Sequence, residues 1–156
     1  MKKVVIVGAS RTPMGGFHGE MSQATAPELG GAAIKGAIES AGVKNESIDE
    51  VIMGNVLSAG QGQAPARQAS FNAGLSENVP AVTLNKMCGS GLKSVIYAHD
   101  QIKAGTSELV AAGGMESMTN APYLSPKMRA GARVGHQQMY DHCLLYTSPS
   151  PRDTIR

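Results

Sequence analysis

Asn85-Lys86-Met87-Cys88-Gly89-Ser90-Gly91 is the stretch of this sequence best suited to covalent chemistry. Cys88 stands at the join between a short apolar run, 81–84, and the clearest helical pattern in the chain, 89–103. A thiol at a helix N-terminus lies near unpaired backbone N–H groups and the positive end of the helix dipole, and both favour the thiolate. Gly89 and Gly91 remove side chains beside the sulfur and leave room for a substrate to approach. Backbone N–H groups at such a turn can also receive the oxyanion of a tetrahedral intermediate. These features suit a nucleophilic cysteine in acyl transfer. Position alone leaves an alternative open, a small inert hydrophobe, because cysteine is among the most buried residue types.

Acyl transfer also needs a base. His99 lies eleven residues further along the same helix, roughly 16 Å away at about 1.5 Å per residue, and its spacing makes it a packing residue. His18, His136 and His142 stand in no convincing motif. Cys and His do not cluster at ligand spacing, so no metal site is expected. The loop Gly60-x-Gly62 lacks the third glycine of a dinucleotide fingerprint and does not open directly into a helix, and nothing resembles a P-loop.

The elements that must position Cys88 follow from the hydrophobic pattern. Val4-Val5-Ile6-Val7 has no alternation and predicts a strand buried on both faces, closed by Gly8. A Gly/Pro-rich loop runs to Gly19. Pro27 opens a helix with Gly30, Ile34, Ala37, Ile38 and Ala41 on one face, stopped by Gly42. Val51-Ile52-Met53 is a second strand, 64–73 a short helix ending at Gly74, and 79–84 a third strand. The helix 89–103 carries Leu92, Val95, Ile96, His99 and Ile102 at helical spacing, with Gly105 as its stop. A fourth strand, 109–112, ends in Gly113-Gly114. Repeated strand–helix alternation predicts an α/β fold with a mostly parallel, covered sheet. From Met115 the alternation stops, and 117–141, with Pro122, Pro126, Gly131 and Gly135, reads as irregular and too long for an ordinary connection.

Composition excludes several classes. At 156 residues the length alone predicts one domain. With 42% hydrophobic and 17% charged residues the chain can build a core and is not a disordered polyelectrolyte. Two cysteines make no disulfide framework. A net charge of +2 argues against a nucleic-acid partner, and no apolar run is long enough for a membrane span. The apolar stretch after Lys3 is too short for a signal peptide, so a cytoplasmic location is expected.

Four blocks resemble the thiolase family, its biosynthetic bacterial branch most closely. They are Arg11-Thr12-Pro13-Met14-Gly15-Gly16-Phe17, the segment from Gly54-Asn55-Val56-Leu57 through Ala64-Pro65-Ala66-Arg67-Gln68-Ala69, the Cys88 stretch itself, and Gly113-Gly114-Met115-Glu116-Ser117-Met118-Thr119-Asn120-Ala121-Pro122. The resemblance covers residues 1–142. It implies the N-terminal half of a two-domain α-β-α-β-α sandwich, with 1–116 an incomplete α/β domain and 117–142 the start of a coenzyme-binding loop domain. It implies acetyl-CoA C-acetyltransferase chemistry: two acetyl-CoA condensed to acetoacetyl-CoA and CoA, or the reverse thiolysis. Cys88 would carry the acyl group as a thioester, and its backbone N–H would belong to an oxyanion hole. Coenzyme A thioesters would be substrates, with no metal or further cofactor, and the parent enzyme would be a homotetramer. A 3-ketoacyl-CoA thiolase of fatty-acid degradation is the nearest alternative, and a non-catalytic remnant the alternative from another class.

The departures from the family matter as much. Thiolases are about two and a half times longer. Their activating histidine, in a Gly-His-Pro motif, and their second, proton-abstracting cysteine, in Cys-x-Gly, have no counterpart here, since Cys143 is followed by Leu144-Leu145. The expectation is a fragment without thiolase activity of its own, with an apolar face left uncovered. The string from Cys143 to Asp153 resembles the in-frame translation of a transposase sequencing adapter, which implies a non-native tail over 143–156.

Overall fold

The computed structural model describes residues 3–145. At its centre is β1 (Glu50–Gly54), with β2 (Ala81–Leu84) on one side and β3 (Val110–Gly114) on the other, all parallel in the order β2-β1-β3. Ile52 of β1 lies between Val82 and Ala112. A central strand covered on both faces must be apolar without alternation, and Val51, Ile52 and Met53 are all buried. The α/β class and the parallel sheet expected from the sequence are therefore present.

Three helices cover the sheet: α1 (Ala26–Ala41), α2 (Pro65–Asn72) and α3 (Ser90–Ala104). Each of the last two lies in a crossover between parallel strands, as parallel pairing requires. Val51 and Met53 join Ile34 and Ile38 of α1 and Ala66 and Ala69 of α2 in one apolar cluster. Because strand side chains alternate, Ile52 and Gly54 point the other way, toward α3. The helix α1 is set by its own sequence. Thr25 accepts the Glu28 N–H at 3.4 Å while the Glu28 carboxylate accepts the Thr25 N–H at 2.8 Å, a complete capping box, and Gly42 closes the helix at φ 65°. These bonds to Thr25 hold the Glu28 carboxyl below its usual pKa.

At the entry edge of the sheet, the Asp49 carboxylate accepts the N–H groups of Leu109 (2.9 Å) and Glu108 (2.6 Å) and fixes where β3 begins. Those two N–H groups hold the Asp49 carboxyl below the usual carboxylate range. Among the described residues no helix is long and apolar enough to cross a membrane.

Four expectations need correction. Val4-Val5-Ile6-Val7 forms no strand: it pairs with neither sheet edge, and Ile6 is 81% exposed. Hydrophobicity makes a strand only where a ladder partner exists, and here Gly8 packs tightly against Ala37 and Ala41 of α1 instead. The inward face of α3 is Ser90, Ser94 and Ala98, while Leu92 (69% exposed), Val95 and Ile96 point outward. The helical period was right and its side inverted, because the backbone of β1 and β3 comes too close for large side chains. His99 is accordingly no packing residue: it is exposed and pairs with Asp100 at 3.0 Å. The region 117–141 is not wholly irregular, since β4 (Tyr123–Leu124) pairs antiparallel with β5 (Tyr140–Asp141). Residues 146–156, most of the tail set apart in the sequence, lie outside the described residues.

Candidate active site

Parallel strands put their C-terminal ends on one edge, where open α/β sheets bind ligands. Here that edge gathers Gly54 at the end of β1 and Asn55 after it, Asn85 to Gly89 after β2 and Met115-Glu116 after β3. Cys88 stands on this edge, exposed, one residue before the Gly89 cap of α3.

The turn around Cys88 is closely bonded. Gly89 N–H donates to the Lys86 carbonyl (3.1 Å) and Ser90 N–H to the Met87 carbonyl (3.0 Å). Lys86 N–H donates to Ser90 Oγ (2.8 Å) and Met87 N–H to Asn85 Oδ1 (2.9 Å). The Cys88 N–H finds no acceptor among the described residues. Met87 takes φ 49°, a left-handed conformation that non-glycine residues seldom adopt. Gly89 offers α3 no side-chain cap, so no side chain of the cap residue occupies the helix start beside the sulfur.

Two close approaches seat this turn on the sheet. A Cβ on Gly54 would lie 2.5 Å from the Ser90 carbonyl carbon, and one on Gly114 would lie 3.0 Å from the Gly91 Cα. Glycine at the ends of β1 and β3 thus lets the first turn of α3 rest on backbone. Ser94 Oγ adds a bond to the Gly113 carbonyl at 2.7 Å.

Glu116 organises the rest of the edge. Its carboxylate accepts Asn55 Nδ2 (2.8 Å), Val56 N–H (2.9 Å) and Leu57 N–H (3.0 Å). Asn85 Nδ2 reaches the Val56 carbonyl at 3.4 Å, which ties the loop after β1 to the Cys88 turn. Sequence reasoning placed Glu116 and Asn55 in recognisable blocks without giving either a task. The signal was their position just past two strands that turn out to be neighbours.

The structure brings no histidine into a hydrogen bond with Cys88 among the described residues. His18 donates its backbone N–H to Thr119 Oγ1 (3.0 Å) and His142 donates its own to the Pro122 carbonyl (3.2 Å). Arg67 is spent on structure: its guanidinium donates to the Val79 and Glu77 carbonyls and lies over the Phe71 ring. The second thiol, Cys143, is half-buried. Burial, helped by the Asp141 and Glu116 carboxylates, pushes its pKa up and disfavours its thiolate. No group of three or more His, Cys, Asp or Glu could hold a metal ion among the described residues.

An exposed cysteine at a strand–helix turn, seated on glycines through the residues that follow it, leaves a thiol open to an incoming group at the C-terminal edge of a parallel sheet. The family model described as "Thiolase, N-terminal domain" matches residues 4–148, and the chain belongs to the thiolase family. It is 54% identical over 145 residues to the acetyl-CoA acetyltransferase of Cupriavidus necator, covering 93% of this chain and 37% of that protein. It is 53% identical over 142 residues to the acetyl-CoA acetyltransferase of Escherichia coli strain K12, covering 90% of this chain and 36% of that one. A cytosolic acetyl-CoA acetyltransferase of Gibberella zeae is 52% identical over 141 residues, again covering 90% of this chain and 36% of its own length. The chain thus spans little more than a third of the length of the curated relatives it matches.

Proposed function

We propose that this chain is the nucleophile-bearing part of an acetyl-CoA C-acetyltransferase, with Cys88 as the residue that accepts the acetyl group. The observation that carries the reading is the Cys88 turn: an exposed thiol and an unclaimed N–H on the same residue. The names of the similar proteins support acetyl-CoA as substrate, against the longer acyl chains of a degradative 3-ketoacyl-CoA thiolase.

The chemistry follows from that geometry. The Cys88 thiolate attacks the thioester carbonyl of acetyl-CoA, a sulfur–carbon bond forms, and the carbonyl oxygen becomes an oxyanion. The Cys88 N–H, with no competing acceptor, donates to that oxygen. Collapse of the intermediate expels the thiolate of coenzyme A and leaves acetyl-Cys88. A second acetyl-CoA, after losing an α-proton, attacks the acetyl group and releases acetoacetyl-CoA and the Cys88 thiolate. The bases for thiol activation and for α-proton removal come from the remainder of the whole protein, which also covers the outward apolar face of α3. Residues 117–142 begin the coenzyme-binding loop domain, and 143–156, into which the family match extends only as far as residue 148, are a non-native tail. The substrates are coenzyme A thioesters, with no resident cofactor. The whole protein acts in the cytoplasm as a homotetramer.

The test joins residues 1–142 of this chain to the C-terminal part of the Cupriavidus necator relative and assays coenzyme A-dependent cleavage of acetoacetyl-CoA. The joined protein cleaves it; its Cys88→Ser form and the 156-residue chain alone do not. Cleavage by the 156-residue chain free of host thiolase, or by the Cys88→Ser form, overturns the proposal.

A further inference from the structure

Two side chains that need touch no substrate hold the turn that carries Cys88. Ser90 is 4% exposed, and its hydroxyl works in both directions: it accepts the Lys86 N–H at 2.8 Å and donates to the Met87 carbonyl at 2.6 Å. Asn85 Oδ1 accepts the Met87 N–H at 2.9 Å. Met87 is therefore gripped at both its carbonyl and its N–H, and it is the residue at φ 49°. A long side chain stays in that conformation only where its surroundings over-determine it. Both flanks of Cys88 are thus pinned, while Cys88 itself makes none of these bonds.

The space at Ser90 is equally specific. A Cβ on Gly54 would lie 2.6 Å from the Ser90 Cβ, so the strand beneath has been cleared to admit this side chain. A hydroxyl is the smallest side-chain group that both accepts and donates. Alanine would fill nearly the same volume and make neither bond.

We infer that Ser90, with Asn85, is a positioning residue for acyl transfer at Cys88: it locks Met87 left-handed and so aims the free Cys88 N–H at the oxygen of the attacked carbonyl. The inference rests on the reading of Cys88 as acyl acceptor and adds to it the groups that fix its geometry. It separates two reactions of the same thiol. In acylation by p-nitrophenyl acetate the thiolate adds to the ester carbonyl, an oxyanion forms and p-nitrophenolate leaves. In alkylation by iodoacetamide the thiolate displaces iodide in one step, with no oxyanion to stabilise. A residue that aims an N–H matters to the first reaction and not to the second.

The experiment uses the 156-residue chain in a Cys143→Ser background, where Cys88 is the sole thiol. Rates with both reagents are measured across pH, and circular dichroism confirms that each variant keeps its helices. Ser90→Ala lowers the acylation rate about tenfold, less than the roughly hundredfold that loss of an entire oxyanion donor costs. Its alkylation rate and pH profile stay within about twofold, since no oxyanion donor takes part in that reaction. Adding Met87→Gly to Ser90→Ala restores most of the acylation, because glycine takes a positive φ without steric cost. Asn85→Asp, which keeps the acceptor, acylates faster than Asn85→Ala.

Equal losses with both reagents, an unchanged ratio, or no rescue by Met87→Gly would each overturn the positioning role. The underlying reading fails separately: wild-type acylation no faster than that of an unstructured peptide of residues 85–91 would remove the acyl-acceptor role and this inference with it.

Discussion

The two faces of the parallel sheet are built on opposite principles. On one, β1 gives Val51 and Met53 to a packed apolar layer with Ile34 and Ile38 of α1 and Ala66 and Ala69 of α2. On the other, Gly54 and Gly114 let the backbone of α3 come down onto the strands, Ser94 bonds to β3, and Ser90 bonds within the turn that carries Cys88. The first face stabilises by area removed from water. The second gives up side-chain volume for close approach, and its return is a fixed place for the Cys88 turn. The helices differ in the same sense: α1 is capped by Thr25 and Glu28, whereas α3 begins at Gly89 with no side-chain cap.

The largest effect that could break this contrast belongs to the apolar face. Met53→Ala should destabilise the chain by about 2–5 kcal/mol, through lost transfer energy and a residual cavity, measured by urea titration; a cost near zero would mean that the α1/α2 face is not the main source of stability.

Next is Gly54→Ala, whose new Cβ would meet the Ser90 backbone at 2.5 Å. Overpacking of this kind costs about 1–3 kcal/mol. The distinguishing result is functional: acylation of Cys88 by p-nitrophenyl acetate should fall in Gly54→Ala and hold in Met53→Ala under conditions where both are folded. The reverse ordering would dissolve the distinction between the faces.

Smaller still is the α1 cap. Thr25→Ala should cost about 1 kcal/mol with no change at Cys88. Because the folded-state pKa of Glu28 is depressed, the contribution of its half of the box is present above the usual glutamate pKa and is lost as pH falls through the lowered folded value. Acid titration of helicity by circular dichroism should show that loss in the wild type and not in Glu28→Gln.

The smallest effect is at the outward stripe of α3. Leu92→Ser, at a side chain 69% exposed, should change stability by no more than about 0.5 kcal/mol. It should nonetheless reduce binding of a hydrophobic dye and self-association, since Leu92, Val95 and Ile96 are exposed together. A loss of several kcal/mol would show that this stripe packs inside the chain.

Much of this was legible in the sequence, and the gaps share a physical cause. Local signals held: Pro27 and Gly42 bound α1, Gly105 stops α3, and Cys-Gly-Ser-Gly marks the turn. What failed depends on partners far along the chain. Val4 to Val7 had the composition of a buried strand and no strand to pair with. The apolar stripe of α3 had the correct period, but periodicity does not say which side of a helix meets the sheet. The sheet side was fixed by glycines at 54 and 114, remote in sequence from α3. Glu116 could be assigned its task only once β1 and β3 were known to be neighbours, which puts its carboxylate beside the N–H groups of Val56 and Leu57. The same holds for Ser90, whose hydroxyl resembles that of any helix-start serine until its two partners, Lys86 and Met87, are placed in the turn just before Cys88.

The most direct measurement is peptide mass spectrometry of the joined protein, residues 1–142 with the C-terminal part of the Cupriavidus necator relative, quenched in acid after incubation with acetyl-CoA. One acetyl group is expected, on the peptide containing Cys88, and it disappears when coenzyme A is added before the quench. An unmodified Cys88 in a protein that turns over acetoacetyl-CoA, or acetylation that survives coenzyme A, would contradict it.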